Sequence, residues 1–330
     1  MKGTAASPQA LAAEALRAAK RVIIGVHPRA DGDALGSMVA LALALRALGG
    51  QVKMYSPDGV SPMYRFLPLA GEVSDLVAAA DVEAADAVVL LDCDGAARTA
   101  ALEGLLARAK RVVDIDHHER ERAFGDVQWV EPERAAVAEM VYALLLEMGI
   151  GLTREMATAL LAGIYVDTGS LRYRNTKAHT YRICAELVER GARPEEVSTW
   201  LYEVRSYGGL RLLGAVLQRA KVDPESAIMW SALPHQTFVE CGASPDDMEG
   251  VIDLLRGHRD SRVALLAYER EDGVVKVSLR SKAALDVSEV AQLWGGGGHA
   301  AAAGFERDAP MQQVVEDALI ELRARLTGSS

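Results

Sequence analysis

Val112-Val113-Asp114-Ile115-Asp116-His117-His118 runs from β-branched residues directly into an aspartate and two imidazoles. The carboxyl ends of strands in open α/β sheets are where ligands bind, so this ending points to a metal or a phosphate. Other stretches have the same form. Arg21-Val-Ile-Ile-Gly-Val26 leads into His27-Pro-Arg-Ala-Asp31-Gly-Asp33, and 86–91 leads into Asp92-Cys93-Asp94-Gly95. A helical stretch over 153–166 leads into Asp167-Thr168-Gly169. Each has an ordinary explanation when taken singly: Asp33 could cap a helix that starts at Ala34, and Asp31-Gly32 could be a turn. Their shared position at element ends indicates that they meet in space.

The candidate ligands are His27, Asp31, Asp33, Asp92, His117 and Asp167. Four carboxylates in one crevice repel each other and push at least one pKa upward; divalent cations remove the conflict. Carboxylates mixed with imidazoles, without thiolates, suit Mn²⁺, with Fe²⁺, Co²⁺ or Zn²⁺ as alternatives. Six protein ligands are too many for one open catalytic ion. They match two ions roughly 3.5–4 Å apart, the arrangement of two-metal hydrolases.

The elements that must position these residues alternate. Strands are expected at 21–26, 51–55, 86–91, 112–115 and 127–130, with helices over 8–20, 34–48, 133–148 and 153–166. Strands alternating with helices give a doubly wound, mostly parallel sheet. From 176 to 220 the pattern is helical, interrupted at Gly191, Pro194 and Gly208-Gly209, and reads as a connection between domains. Strands at 227–232, 262–268 and 274–279, a helix over 287–293, a loop Gly295–His299 and a last helix over 311–326 then form a smaller α/β domain. The expected division is a catalytic domain over 1–185, a helical linker over 186–220 and a substrate-binding domain over 221–330, with the active site in the cleft between the two domains.

With 330 residues, half of them hydrophobic and a quarter charged, the chain can bury two cores. Its net charge of −10 argues against a broad basic surface that grips long nucleic acid. A small phosphate substrate stays open, because bound cations invert the charge of an acidic pocket. Cys93, Cys184 and Cys241 have no metal-type spacing and fit buried thiols in a reducing cytoplasm. No apolar run reaches membrane-spanning length, and the N-terminus lacks the pattern of a secretory signal.

At this point the sequence resembles the DHH phosphoesterases that carry the DHH-associated C-terminal domain. The resemblance rests on His27-Pro-Arg-Ala-Asp31-Gly-Asp33-Ala-Leu-Gly-Ser37, Leu91-Asp92, Asp116-His117-His118 and Asp167-Thr-Gly-Ser-Leu-Arg-Tyr173. In the C-terminal part it rests on Ser278-Leu-Arg280-Ser281 and Gly295-Gly-Gly-Gly-His299 with Ala302-Ala-Gly-Phe305. It implies that His27, Asp31 and Asp92 hold one metal, that Asp33, Asp92, His117 and Asp167 hold the other, and that Asp92 bridges. It also implies that Asp116 fixes an imidazole and that His118 bonds the scissile phosphate or protonates the leaving oxygen. The implied reaction is metal-dependent hydrolysis of very short oligoribonucleotides to mononucleotides and of 3′-phosphoadenosine 5′-phosphate to AMP, by a homodimer. A cyclic or linear dinucleotide phosphodiesterase would use the same site, and a catalytically silent nucleotide sensor is the alternative from another class.

Beside the resemblance, Gly296, Gly297 and Gly298 offer backbone N–H groups that can approach an anion, and Arg280, Ser281 and His299 add donors to it. Arg98 is a further candidate for substrate contact. Asp114 shares strand parity with Asp116 and is expected to be a solvated carboxylate. His179, His235 and His258 lie in no motif and are expected at the surface or as caps.

Overall fold

The computed structural model describes residues 6–119, 124–282 and 285–327. Contacts divide the chain into two compact units, the first ending at Val204 and the second beginning at Arg205.

In the first unit, six strands form one sheet: β1 (Arg21–Gly25), β2 (Gln51–Tyr55), β3 (Val73–Ser74), β4 (Ala87–Leu91), β5 (Val112–Asp116) and β6 (Val127–Val130). Their order is β3-β2-β1-β4-β5-β6 and every pairing is parallel. The central strands are apolar on both faces. Ile23, Val88, Leu90 and Val112 pack to one side, and Val22, Ile24, Val89, Leu91, Val113 and Ile115 pack to the other. That is why they read as continuous hydrophobic runs. The chain reverses its direction of strand addition between β1 and β4, so their carboxyl ends open at a topological switch point. The short strand β3 has no sequence signal because it is two residues long.

The helices of this unit are α1 (Pro8–Ala18), α2 (Gly32–Ala47), α3 (Ala79–Ala84), α4 (Val137–Glu147), α5 (Arg154–Thr168), α6 (Ala178–Glu189) and α7 (Pro194–Ser198). Two bounds change the site. Helix α2 starts at Gly32 rather than Ala34, and its N-cap is Asp31, which accepts from the Asp33 and Ala34 N–H groups. The cap is therefore not Asp33. Helix α5 runs past 166, so Asp167 stands on its last turn, ahead of a left-handed Gly169. Asp114 is wholly buried on β5, not solvated; even-numbered side chains of that strand point into the sheet's second core.

Helix α2 packs directly on α5, and the contact is close enough to need glycine. A Cβ on Gly36 would lie 2.3 Å from the Ala159 carbonyl oxygen, and one on Gly163 would lie 2.9 Å from Asp33 Oδ1.

In the second unit, α8 (Tyr207–Arg219) is followed by β7 (Lys221–Asp223), β8 (Ile228–Leu233), α9 (His235–Cys241), α10 (Val251–Arg256), β9 (Val263–Glu269), β10 (Val275–Ser281), α11 (Val287–Gln292), β11 (Gly297–His299), β12 (Ala302–Arg307) and α12 (Met311–Thr327). The sheet order is β11-β12-β10-β9-β8-β7. Gly208 and Gly209 do not interrupt the helical pattern but lie inside α8; a Cβ on Gly208 would meet the Gly242 carbonyl oxygen at 2.1 Å. The glycine run is likewise not all loop: Gly297 to His299 form an edge strand against β12. No helix among the described residues is long and apolar enough to cross a membrane.

The α2–α5 contact predicts a stability difference. Gly36→Ala should lower the free energy of unfolding by about 1–3 kcal/mol through overpacking. Gly151→Ala, where nothing lies within 4 Å, should stay within about 0.5 kcal/mol of wild type. Urea midpoints at constant m-value check both; equal midpoints would show that the helices part without loss.

Candidate metal centre

Five element ends deliver the six candidate side chains. His27 follows β1, Asp31 and Asp33 open α2, Asp92 follows β4, His117 follows β5, and Asp167 closes α5. Because β1, β4 and β5 are neighbours, their ends bring His27, Asp92 and His117 together. Helices α2 and α5 pack on one sheet face and add the remaining carboxylates.

The distances are short. His27 Nε2 lies 3.6 Å from Asp92 Oδ2, and His117 Nε2 lies 3.5 Å from Asp92 Oδ1 and 3.2 Å from Asp167 Oδ2. Ligand atoms within 4.8 Å of one another fall into overlapping groups: His27, Asp31 and Asp92; Asp33, His117 and Asp167; Asp92, His117 and His118. Asp92 and His117 each belong to two groups. Asp92 has φ of 60°, a left-handed conformation uncommon for a side chain other than glycine. It turns the chain at the strand end while its N–H still pairs with the Ile115 carbonyl at 3.1 Å.

Burial sets the electrostatics. It pushes Asp31 up to about 7, with the charges of Asp167 and Asp92 adding to it. Burial, then Asp167 and Asp92, hold Asp33 well above the carboxylate range. Asp92 goes the other way: burial would raise it, but His117, His27 and His118 hold it well below. Burial would lower the imidazoles, yet Asp92 and Asp31 raise His27 to about 9, and Asp167 and Asp92 raise His117 further. Two carboxylates thus stand close to protonation while a third is held ionised. A cation removes that conflict.

The donor set fits divalent ions. Asp92 Oδ1 is sealed from solvent and makes no hydrogen bond of good geometry among the described residues. His27 Nδ1 faces the Pro28 carbonyl at 2.8 Å and His117 Nδ1 faces the Arg134 carbonyl at 3.1 Å. With Nδ1 donating to a carbonyl, each ring turns Nε2 toward the carboxylates as a ligand requires.

His118 is held differently. Its Nδ1 donates to Asp116 Oδ1 at 2.7 Å, and that same oxygen accepts the His117 and His118 backbone N–H groups at 2.8 and 3.2 Å. Asp116 therefore orients His118, while a backbone carbonyl orients His117. Asp33 is anchored by the first turn of α4, whose Val137 and Ala138 N–H groups donate to it at 2.5 and 2.8 Å. Sequence reasoning missed Arg134, Val137 and Ala138 because they act through peptide groups, which carry no residue-type signal. Arg98 is exposed and lies 3.6 Å from Asp94. Neither His179 nor His258 is simply a surface residue: each bonds a named partner, Glu139 and Ser261 respectively.

In the second unit, Arg280 Nη1 donates to the Leu279 carbonyl at 3.1 Å, and its Nε lies 3.7 Å from Asp253. Ser281 is buried, and its hydroxyl accepts the Leu285 N–H at 3.3 Å. The Gly296 N–H is given to the Ala291 carbonyl at 3.0 Å, ending α11. These contacts give Ser281 and Gly296 structural work.

The fold and the ligand set define a doubly wound α/β protein with a divalent-metal type of donor cluster at its switch point. The chain belongs to the DHH family: residues 21–164 match the DHH family, N-terminal domain, and residues 235–328 match the DHHA1 domain. It is 34% identical to the bifunctional oligoribonuclease and PAP phosphatase NrnA of Thermus thermophilus, over 99% of this chain and 98% of that protein. The protein of the same name from Bacillus subtilis is 27% identical over 86% of this chain and 88% of its own. Among solved structures, an exopolyphosphatase-related protein from Bacteroides fragilis superposes with a TM-score of 0.91 at 24% identity, covering 99% of both chains.

The shifted groups predict proton release. At pH 7.5 the His27 side chain, raised to about 9, is protonated, and a metal takes only its neutral form. Mn²⁺ binding should therefore release about one proton per site or more, and affinity should rise with pH from below 7 to 9. Calorimetric titrations in buffers of different ionisation enthalpy measure this. Asp92→Ala should abolish high-affinity binding. No buffer dependence would mean that His27 is not displaced from its proton.

Proposed function

We propose that this chain is a divalent-metal phosphoesterase that cuts very short oligoribonucleotides to mononucleotides and dephosphorylates 3′-phosphoadenosine 5′-phosphate to AMP, with Mn²⁺ as its ion. The observation that carries the reading is the pair of adjacent ligand groups joined through Asp92 and His117. Two-metal phosphoester hydrolysis needs such a pair. The substrates come from the full-length relative, whose name states both activities.

In this reading His27, Asp31 and Asp92 hold one ion, and Asp33, Asp92, His117 and Asp167 hold the second. When bound, such ions supply an activated water and neutralise charge at phosphorus. The protein's own groups do the rest. Asp92, held ionised by three imidazoles, would offer a charged ligand. Asp116 holds the His118 ring through Nδ1, and the ring would act through Nε2 on a phosphate oxygen or on the leaving oxygen. Arg280, Gly297, Gly298 and His299 serve to grip a phosphate that is not cut, and binding energy at such a remote group raises turnover by positioning the reacting phosphorus.

A hydrolysis panel tests the reading: dinucleotide, pentanucleotide, long RNA, 3′-phosphoadenosine 5′-phosphate and cyclic di-AMP, each with Mn²⁺. RNA of two to five nucleotides should be cut far faster than long RNA. With a net charge of −10, the affinity should fall only weakly with salt, since few counterions are released. Equal rates on long and short RNA, or faster turnover of the cyclic substrate, would replace the assignment. His299→Ala should lower kcat/KM for the dinucleotide about 10- to 100-fold, the worth of one charge-assisted hydrogen bond, with Mn²⁺ binding unchanged. Loss of Mn²⁺ binding would move His299 from substrate to metal.

A further inference from the structure

Arg134 to Ala138 run from the loop after β6 into the first turn of α4; their peptide groups meet two of the candidate ligands and reach the chain at a third through Asn175. The Arg134 carbonyl meets His117 Nδ1 at 3.1 Å, and the Val137 and Ala138 N–H groups hold Asp33. The Ala135 carbonyl accepts Asn175 Nδ2 at 3.0 Å, and the same amide donates to the Asp167 carbonyl at 3.0 Å. One short stretch of backbone therefore sets His117, Asp33 and the chain at Asp167 relative to one another.

Glu139 holds this stretch from behind. It is wholly buried in the first turn of α4. Its Oε2 accepts the Ala135 N–H at 3.3 Å, and His179 on α6, its side chain 37% exposed, donates Nε2–H to the same oxygen at 2.9 Å. Its Oε1 is also buried and makes no hydrogen bond among the described residues. A buried carboxylate is destabilising unless paired, so a fold that keeps one has placed it for a reason beyond packing. A glutamate at this helical position commonly completes a capping box, but its partner there is a Ser or Thr cap. Here the cap is Ala136, which offers no side-chain oxygen. Glu139 instead ties the segment to a second helix through His179.

We propose that Glu139 and His179 are a positioning pair for the metal centre, fixing residues 134–138 so that His117 and Asp33 present their ligand atoms at the spacing a divalent ion accepts. The proposal rests on the reading of His117, Asp33 and Asp167 as ligands. A capping role and a positioning role both alter stability, but only the second alters metal affinity.

The test measures Mn²⁺ affinity of the full chain from the electron paramagnetic resonance signal of the free ion, together with kcat and KM on a dinucleotide. Glu139→Ala should weaken Mn²⁺ binding roughly tenfold or more, as loss of a group that orients a ligand does. It should lower kcat and leave KM for the dinucleotide nearly unchanged. Glu139→Gln keeps an oxygen for the Ala135 N–H and should restore most of both. His179→Ala, at a half-exposed position the fold tolerates, should reproduce part of the Mn²⁺ loss and carries the test if Glu139→Ala does not fold. A folded Glu139→Ala, or His179→Ala, with unchanged Mn²⁺ affinity and kcat but a lower Tm assigns the pair to the fold and overturns the proposal. A wild-type chain that binds no Mn²⁺ overturns the ligand reading, and this proposal with it.

Discussion

The structure depends on keeping four carboxylates in one buried crevice. Asp31, Asp33, Asp92 and Asp167 repel one another there, and burial makes the charges of Asp31, Asp33 and Asp92 harder to hold. The fold answers each one separately. Asp31 caps α2, and Asp33 receives two N–H groups from the positive end of α4. Imidazoles surround Asp92, and His117 faces Asp167. What these contacts leave unsatisfied is positive charge, and that shortage makes the cluster compatible with divalent cations.

The same constraint explains the packing of the first unit. Asp33 reaches the first turn of α4 beside α5, and Gly163 leaves room for its carboxylate. Gly36 lets α2 and α5 touch along their backbones. Helix packing and ligand geometry are one arrangement, so a methyl group added at the helix contact acts on the chemistry as well as on the core. The left-handed Asp92 belongs to the same economy of space. Strain of that kind persists where the surroundings over-determine the conformation, and here two flanking strands do so.

The second unit solves a different problem. Its edge strand β11 is short and glycine-rich, and β12 covers one side of it. Gly296 lies so close to β12 that a Cβ would sit 2.2 Å from the Gly304 carbonyl oxygen. The glycine run is therefore fixed by packing against β12. Its first two N–H groups end α11, and the residues after them pair with β12.

The sequence by itself determined the class of fold and the metal-type residues. Runs such as Ala87–Leu91 fix buried parallel strands, because only strands covered on both faces read as continuous apolar segments. Aspartates and histidines at the ends of those strands and of α5 then mark the site, because element ends are where side chains leave the core. Tertiary structure alone decided how those residues are held. Asp31 rather than Asp33 is the helix cap, Asp114 is buried, and Asp167 rides on a helix turn. The orienting groups are carbonyls and N–H groups from 134–138, and every residue type has those. Glu139 and His179, forty residues apart, become a pair only when α4 and α6 pack. Residue type and period 2 or 3.6 are local properties of a chain; which backbone group a side chain meets across the core is not.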